Sequence, residues 1–346
     1  MRSPSAGSGS STRRISVNGC IAVLKFALRL VVHGAVIALL IGVNAASGIT
    51  QTPVDSPAQI AFGKALFFDP RLSVDGTLAC ATCHDPAKAY ADGRAVSVGR
   101  GGAVGVRNTP SLLTSAHYSR WSASGQHETL AAQVLEPLFS ASEHGFSSER
   151  EVTALIRDTP EFAALYRTAF GSQTPFKISA VAHALAAFVR SLAVLPAITA
   201  GVESDATTRG RALYIGKAQC ASCHVPQLAF TDNRFHLGAG GAVERSEAVV
   251  AAMNQARLRV SDGKYQRSAN AEVARLGGFV ATLDPADVGK FRTPSLLHVA
   301  RTAPYFHDGS AATLREAILI EMKRNPQPKL SAAEIDDLLD YVSKLE

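Results

Sequence analysis

The sequence predicts a mainly α-helical fold made of two similar units in tandem. Three observations point there. Apolar residues recur at helical spacing behind capping residues, sustained strand alternation is absent, and an internal repeat carries the pattern Cys-x-x-Cys-His once in each copy. With 346 residues and 47% hydrophobic content, the chain can enclose one or two cores.

The pentapeptides Cys80-Ala81-Thr82-Cys83-His84 and Cys220-Ala221-Ser222-Cys223-His224 are the most specific features. Two thiols at this spacing add across the two vinyl groups of a haem, and the adjacent histidine becomes an iron ligand. Each motif therefore marks one covalently bound haem c, with His84 and His224 on the two irons. A fifth cysteine, Cys20, lies in the N-terminal segment, so the other four are all consumed and no disulfide framework is left. A zinc site or redox dithiol would need a partner arrangement that the chain lacks. Each unit is expected to be a cytochrome c-like helical domain.

The first 45 residues read as an export signal. Arg2, Arg13, Arg14, Lys25 and Arg29 precede or border an apolar stretch from Leu30 to Val43, and Val43-Asn44-Ala45 offers small residues for cleavage. Lys25 and Arg29 interrupt the longer apolar run, which disfavours an uncleaved membrane anchor. Haem attachment of this kind occurs outside the cytoplasm, so the periplasm is the expected location. The formal charge of +6 resides mostly in this segment: the rest carries 30 basic against 29 acidic residues. A near-neutral body disfavours a nucleic-acid partner, which would require a basic face.

The repeat sets the domain organisation. Phe62-Gly63-Lys64-Ala65-Leu66, the first haem motif and Asn108-Thr109-Pro110-Ser111-Leu112-Leu113 correspond to Gly210-Arg211-Ala212-Leu213-Tyr214, the second motif and Arg292-Thr293-Pro294-Ser295-Leu296-Leu297. At an offset of 184, Gly125, Thr129 and Leu130 fall on Gly309, Thr313 and Leu314. The expected division is a signal over 1–45, an N-terminal domain over 46–200 and a C-terminal domain over 201–346. The second copy is about 44 residues longer between its haem motif and Arg292. That insert, near 238–290, holds Met253, Tyr265 and a Gly-rich stretch and reads as a surface excursion.

Capping residues place the helices. Ser148 with Glu151 opens an apolar run through Phe162, Leu165 and Tyr166, and Ile178 to Leu192 forms another helix that ends near Pro196. Thr313 with Glu316 and Ser331 with Glu334 open two more, the last continuing through Ile335, Leu338, Leu339 and Val342.

The repeat also separates the roles of the two irons. An iron with protein ligands on both faces mainly transfers electrons, whereas an open face can bind peroxide or oxygen. Counting from the shared pattern, Glu321 in the second half corresponds to Pro137 in the first, and proline cannot ligate iron. The first haem is thus the candidate for an open, reactive site. Gln133 and Glu143 lie near Pro137, and a carboxylate beside an open iron can shuttle a proton between peroxide oxygens. A solvated loop glutamate is the plainer alternative for Glu143. His144 reads as a surface or packing histidine, while His117, His127 and His144 stay open as further ligands to the first iron.

Together with Leu66-Phe67-Phe68-Asp69-Pro70-Arg71-Leu72-Ser73 and Thr302-Ala303-Pro304-Tyr305-Phe306-His307-Asp308-Gly309, these residues resemble the bacterial diheme cytochrome c peroxidase and MauG family from Phe62 to Leu345. The resemblance implies a peroxidase that reduces hydrogen peroxide at the N-terminal haem. A small periplasmic cytochrome c or cupredoxin would supply electrons through the C-terminal haem. It equally admits MauG-like oxidation of a protein side chain such as Trp, and a homodimer is a family expectation. A non-enzymatic diheme electron carrier is the competing reading from another class.

By position, the resemblance makes Trp121 an electron-hopping station between the haems, and Gln133, Pro137 and Glu143 a distal pocket with Glu143 as acid–base. It places a calcium ion at Asn108, Thr302 and Pro304, partly through backbone carbonyls, as suits a hard cation. Two departures stand out. Arg100 occupies the position where many of the peroxidases keep a histidine that blocks the first iron, so no reductive unblocking is expected. For the distal ligand of the second haem, gap-free alignment gives Glu321, whereas soft thioether chemistry favours Met322; one residue turns a helical side chain by about 100°.

Overall fold

The computed structural model describes residues 55–193, 204–238, 243–244, 246–261, 271–324 and 329–346. The export signal at 1–45, the domain boundary at 200/201 and Tyr265 lie outside them. Among the described residues no helix is long and apolar enough to cross a membrane.

The first half contains α1 (Pro57–Phe68), α2 (Leu130–Phe139), α3 (Glu149–Asp158), α4 (Pro160–Phe170) and α5 (Ile178–Ser191). The second half contains α6 (Asp205–Ile215), α7 (Glu247–Ser261), α8 (Leu314–Arg324) and α9 (Ala332–Ser343). Short helical turns link them, and strands β1 (Phe235–Leu237) and β2 (Lys290–Arg292) pair antiparallel. The mainly helical expectation holds.

The repeat is visible in how helices cross. Ser56 caps α1 in a reciprocal box with Gln59, and Ser204 caps α6 in the second copy. Helix α1 packs on α5 and α6 packs on α9. A glycine sits at each crossing. A Cβ on Gly63 would lie 1.9 Å from the Ala184 carbonyl oxygen, and one on Gly210 would lie 2.0 Å from that of Asp337. Only a residue without a side chain lets the helix backbones approach this closely.

Two hydrophobic clusters follow the two copies. The first gathers Phe62, Leu66, Leu138, Ile156, Tyr166 and Leu185, and the second Tyr214, Leu297, Leu338 and Val342. Each large apolar side chain buried here contributes on the order of 1.5–3 kcal/mol.

Three sequence expectations need correction. The run opened by Ser148 is two helices, because Pro160 lacks an N–H and pushes Thr159 to extended φ −96°, ψ 110°. Glu151 also reaches back to Ser147 rather than to Ser148. The insert is not a surface excursion. The β1–β2 pair closes its base, and α7 builds a third cluster from Val249, Met253, Val273, Leu276 and Phe279. The capping boxes at Thr313/Glu316 and Ser331/Glu334 form as expected.

Candidate functional site

Each Cys-x-x-Cys-His motif forms a single helical turn that ends near its histidine. The following loop repeats almost atom for atom. Ala89 and Tyr90 take left-handed φ of 54° and 58°, and Ala229 and Phe230 take 56° and 58°. The Ser111 hydroxyl donates to Ala89 O at 2.6 Å, and the Ser295 hydroxyl donates to Ala229 O at 2.6 Å. This clamp aims a backbone carbonyl at each histidine. His84 Nδ1 lies 3.0 Å from Tyr90 O, and His224 Nδ1 lies 3.1 Å from Phe230 O and 3.0 Å from Pro294 O. A proton on Nδ1 leaves Nε2 as the metal-binding nitrogen and raises its basicity.

The buried thiols of Cys80 and Cys220 fit thioether attachment better than redox or zinc chemistry. Burial pushes the Cys80 thiol up to about 12 and the Cys220 thiol up to about 11. A redox dithiol or metal-binding thiolate would require the opposite shift. Both motifs open onto one cavity of about 820 Å³, at the large end of ligand pockets.

Trp121, Gln133, Pro137, Glu143, Asn108 and Thr302 all line this cavity, as do Pro304, Glu321 and Met322. The fold brings Gln133, Pro137 and Glu143 together. Thr129 caps α2, which carries Gln133 and ends just past Pro137. The chain then folds back: His144 N donates to Pro137 O at 3.1 Å and Phe146 N to Leu138 O at 3.0 Å, returning Glu143 to the cavity wall. The Gln133 side-chain oxygen is buried without a hydrogen-bond partner. Trp121 is held by its indole N–H, which donates to Ser115 O at 3.0 Å.

None of the three open histidines stands out as a further iron ligand. His144 is buried, with Nδ1 on Leu72 O and Nε2 at 3.8 Å from Cys80 Sγ, and desolvation lowers its pKa. His127 turns Nε2 to Glu136 at 2.9 Å, and His117 does not line the cavity. Arg100 donates to Ala141 O at 2.9 Å and packs against Gly145, so it anchors the loop that carries Glu143.

The segment before α2 ties the halves together. Ser119 N donates to the Asn233 side chain at 3.2 Å, Asn233 donates to His117 O at 3.1 Å, and Ser295 N donates to Tyr118 Oη at 3.2 Å. The Arg292 guanidinium stacks 3.4 Å over the Tyr118 ring.

The sequence profile of the di-haem cytochrome c peroxidase family matches residues 57–197. A cytochrome-c peroxidase, IdrP1, of Denitromonas iodatirespirans is 32% identical across 77% of this chain and 73% of its own. The chain belongs to the di-haem cytochrome c peroxidase and MauG family. The methylamine utilization protein MauG of Methylorubrum extorquens is 35% identical, covering 76% of this chain and 68% of its own. A MauG-like protein associated with microbial copper homeostasis has a crystal structure with a TM-score of 0.67 at 30% identity, covering 84% of this chain and 89% of that one. The diheme peroxidase BthA of Burkholderia thailandensis shares the fold, with a TM-score of 0.64.

A di-haem cytochrome c peroxidase carries two haem c groups, and Cys80, Cys83 and His84 with Cys220, Cys223 and His224 are the residues that would hold them. At the second haem, Glu321 accepts from Arg324 at 2.9 Å, while Met322 packs against the second hydrophobic cluster. Sequence reasoning missed Glu136, which is 1% exposed at the centre of the distal network. Its place three residues after Gln133 on a helix, and just before Pro137, was the available signal.

Proposed function

We propose that this protein is a periplasmic peroxidase that reduces hydrogen peroxide at the N-terminal haem with two electrons and two protons, yielding two waters. Electrons arrive through the C-terminal haem from a small cytochrome c or cupredoxin. The observation that carries this reading is the convergence of Gln133, Pro137 and Glu143 on a cavity shared with both haem motifs. The haems, when bound, supply the redox-active irons. The chain's own residues do the rest. Pro137 offers no ligand atom, Glu143 takes a proton from one peroxide oxygen and returns it to the other, and Trp121 offers an aromatic step between the two motifs.

Arg100 supports an enzyme ready without prior reduction, because it is tied to Ala141 O and cannot act as a blocking imidazole. The same feature supports a second reading, MauG-like oxidation of a side chain on a partner protein. Resting-state EPR and visible spectra of the diferric enzyme, followed by peroxide without pre-reduction, test both against a plain electron carrier. One high-spin haem that responds at once is expected; two low-spin haems without response overturn the enzymatic reading. Rapid turnover with a reduced small cytochrome then separates the peroxidase from the side-chain oxidase.

We assign Met322 as the distal ligand of the second haem, since Glu321 is engaged by Arg324. Thioether ligation raises the potential. Met322→Ala is expected to abolish the methionine-to-iron charge-transfer band and lower that haem's potential by tenths of a volt, within the roughly 0.8 V that axial ligands span. Glu321→Gln should leave the band in place, and loss of the band there instead would reverse the assignment. We also assign a calcium ion to Asn108, Thr302 and Pro304. Asn108 Nδ2 donates to Arg94 O at 2.8 Å, which leaves its oxygen as the donor a hard cation takes.

A further inference from the structure

The offset of 184 that relates the two copies is obeyed by the bonds across their seam as well as by the sequence. Asn108 N donates to His307 O at 2.9 Å, and the equivalent pair exchanges sides, with Arg292 N donating to Ala123 O at 3.0 Å. The Trp121 indole donates to Ser115 O at 3.0 Å, and the hydroxyl of its mate, Tyr305, donates to Val299 O at 3.0 Å. Equivalent residues meet across the seam as they do in a two-fold interface.

One set of mates differs in charge. Asn108 and Thr302, assigned above to a calcium ion, correspond to Arg292 and Tyr118, where the guanidinium lies 3.4 Å over the ring. Arg292 is only 8% exposed, and no carboxylate among the described residues pairs with it. Its Nε donates to Ser122 O at 3.4 Å and its Nη1 to Thr293 O at 3.1 Å. Nη2 makes no hydrogen bond among the described residues, yet it is not one of the sealed unpartnered atoms. It therefore keeps an accessible face, and Arg292 lines the cavity. An arginine cannot shed its charge, so a buried guanidinium held only by carbonyls and a ring stays costly until an anion meets it.

We infer that Arg292 takes a carboxylate of a bound haem. Its guanidinium is the second copy's built-in counterpart of the cation that the first copy takes at Asn108. Two residues on, Pro294 O meets His224 Nδ1 at 3.0 Å, which favours the second haem as the source of the carboxylate. A guanidinium offers N–H groups in a plane that suits a carboxylate. The inference rests on the two haems and not on peroxide chemistry, so a failure of the peroxidase reading leaves it standing.

Resonance Raman spectra of the holoprotein, taken fully oxidised and after half reduction to tell the haems apart, follow the propionate bending band. Arg292→Gln is expected to shift that band for the second haem. It should also move that haem's reduction equilibrium about tenfold towards the ferric form, since losing a nearby positive charge disfavours the added electron. Arg292→Lys keeps the charge without the planar fork, so it should bring the equilibrium back to within about twofold while the band stays shifted. A band shift in the first haem instead supports the inference with that haem as the source. An unchanged band in Arg292→Gln with native haem content overturns it, whatever the equilibrium does, because the arginine then only holds Tyr118. If Arg292→Gln takes up no haem, Arg292→Lys decides alone, and an unchanged band there overturns the inference.

Discussion

Glu143→Gln is expected to lower peroxide turnover by roughly a hundred- to ten-thousand-fold, the usual worth of a positioned acid–base group. The substitution keeps the shape of the side chain and leaves both haem motifs untouched, so haem content and the resting spectrum should not change. The turn that returns the chain to the cavity is held by main-chain bonds from His144 to Pro137 and from Phe146 to Leu138, and it should survive the change. Steady-state peroxide consumption with a reduced donor protein measures the effect. A loss of only a few-fold, with normal haem content, would remove Glu143 from the proton transfer.

The second large effect falls on stability. Gly63→Ala and Gly210→Ala each place a methyl carbon about 2 Å from a carbonyl oxygen of the crossing helix, at Ala184 and Asp337. No rotamer relieves that contact, so the helices must separate, at a cost of about 3 kcal/mol or more each. Chemical denaturation of the holoprotein should show the loss for either variant. The neighbouring exposed Lys64→Ala is expected to stay within about 0.5 kcal/mol of the parent. Equal midpoints for Gly63→Ala and Lys64→Ala would mean that the crossing tolerates a side chain.

The features legible in the sequence are those written in a short local code. The haem motifs, the caps at Thr313 and Ser331 and the paired glycines each depend on short local spacing, and the structure shows the caps formed and both glycines at helix crossings. Gln133, Pro137 and Glu143 were readable as a group because the internal offset sets Pro137 opposite Glu321, and the fold brings all three to one cavity wall. The insert was not legible: its Gly-rich stretch suggested a surface excursion, whereas Val249, Met253 and Phe279 bury one another across some thirty residues of separation. Glu136 was hidden for a different reason. A glutamate on a helix is by default a solvated face, and its burial comes from Gln126 and His127, which reach it from a turn before the helix begins. The break at Pro160 was available locally, but the apolar period running through it masked the boundary.

The seam between the two halves is written in main-chain and side-chain bonds together. Asn108 N donates to His307 O at 2.9 Å and Arg292 N donates to Ala123 O at 3.0 Å, beside the bonds from Ser119 N to the Asn233 side chain, from the Asn233 amide to the His117 carbonyl and from Ser295 N to the Tyr118 hydroxyl. Main-chain groups are present whatever side chain a position carries. The two main-chain bonds therefore persist through substitutions in either haem pocket, whereas those through Asn233 and Tyr118 depend on the side chain. On the proposed reading a duplicated unit joined in this way is free to specialise: one copy would lose its second iron ligand, at Pro137, while its twin would keep a filled coordination sphere. Two similar halves would thereby divide the labour, one keeping the electrons and the other spending them.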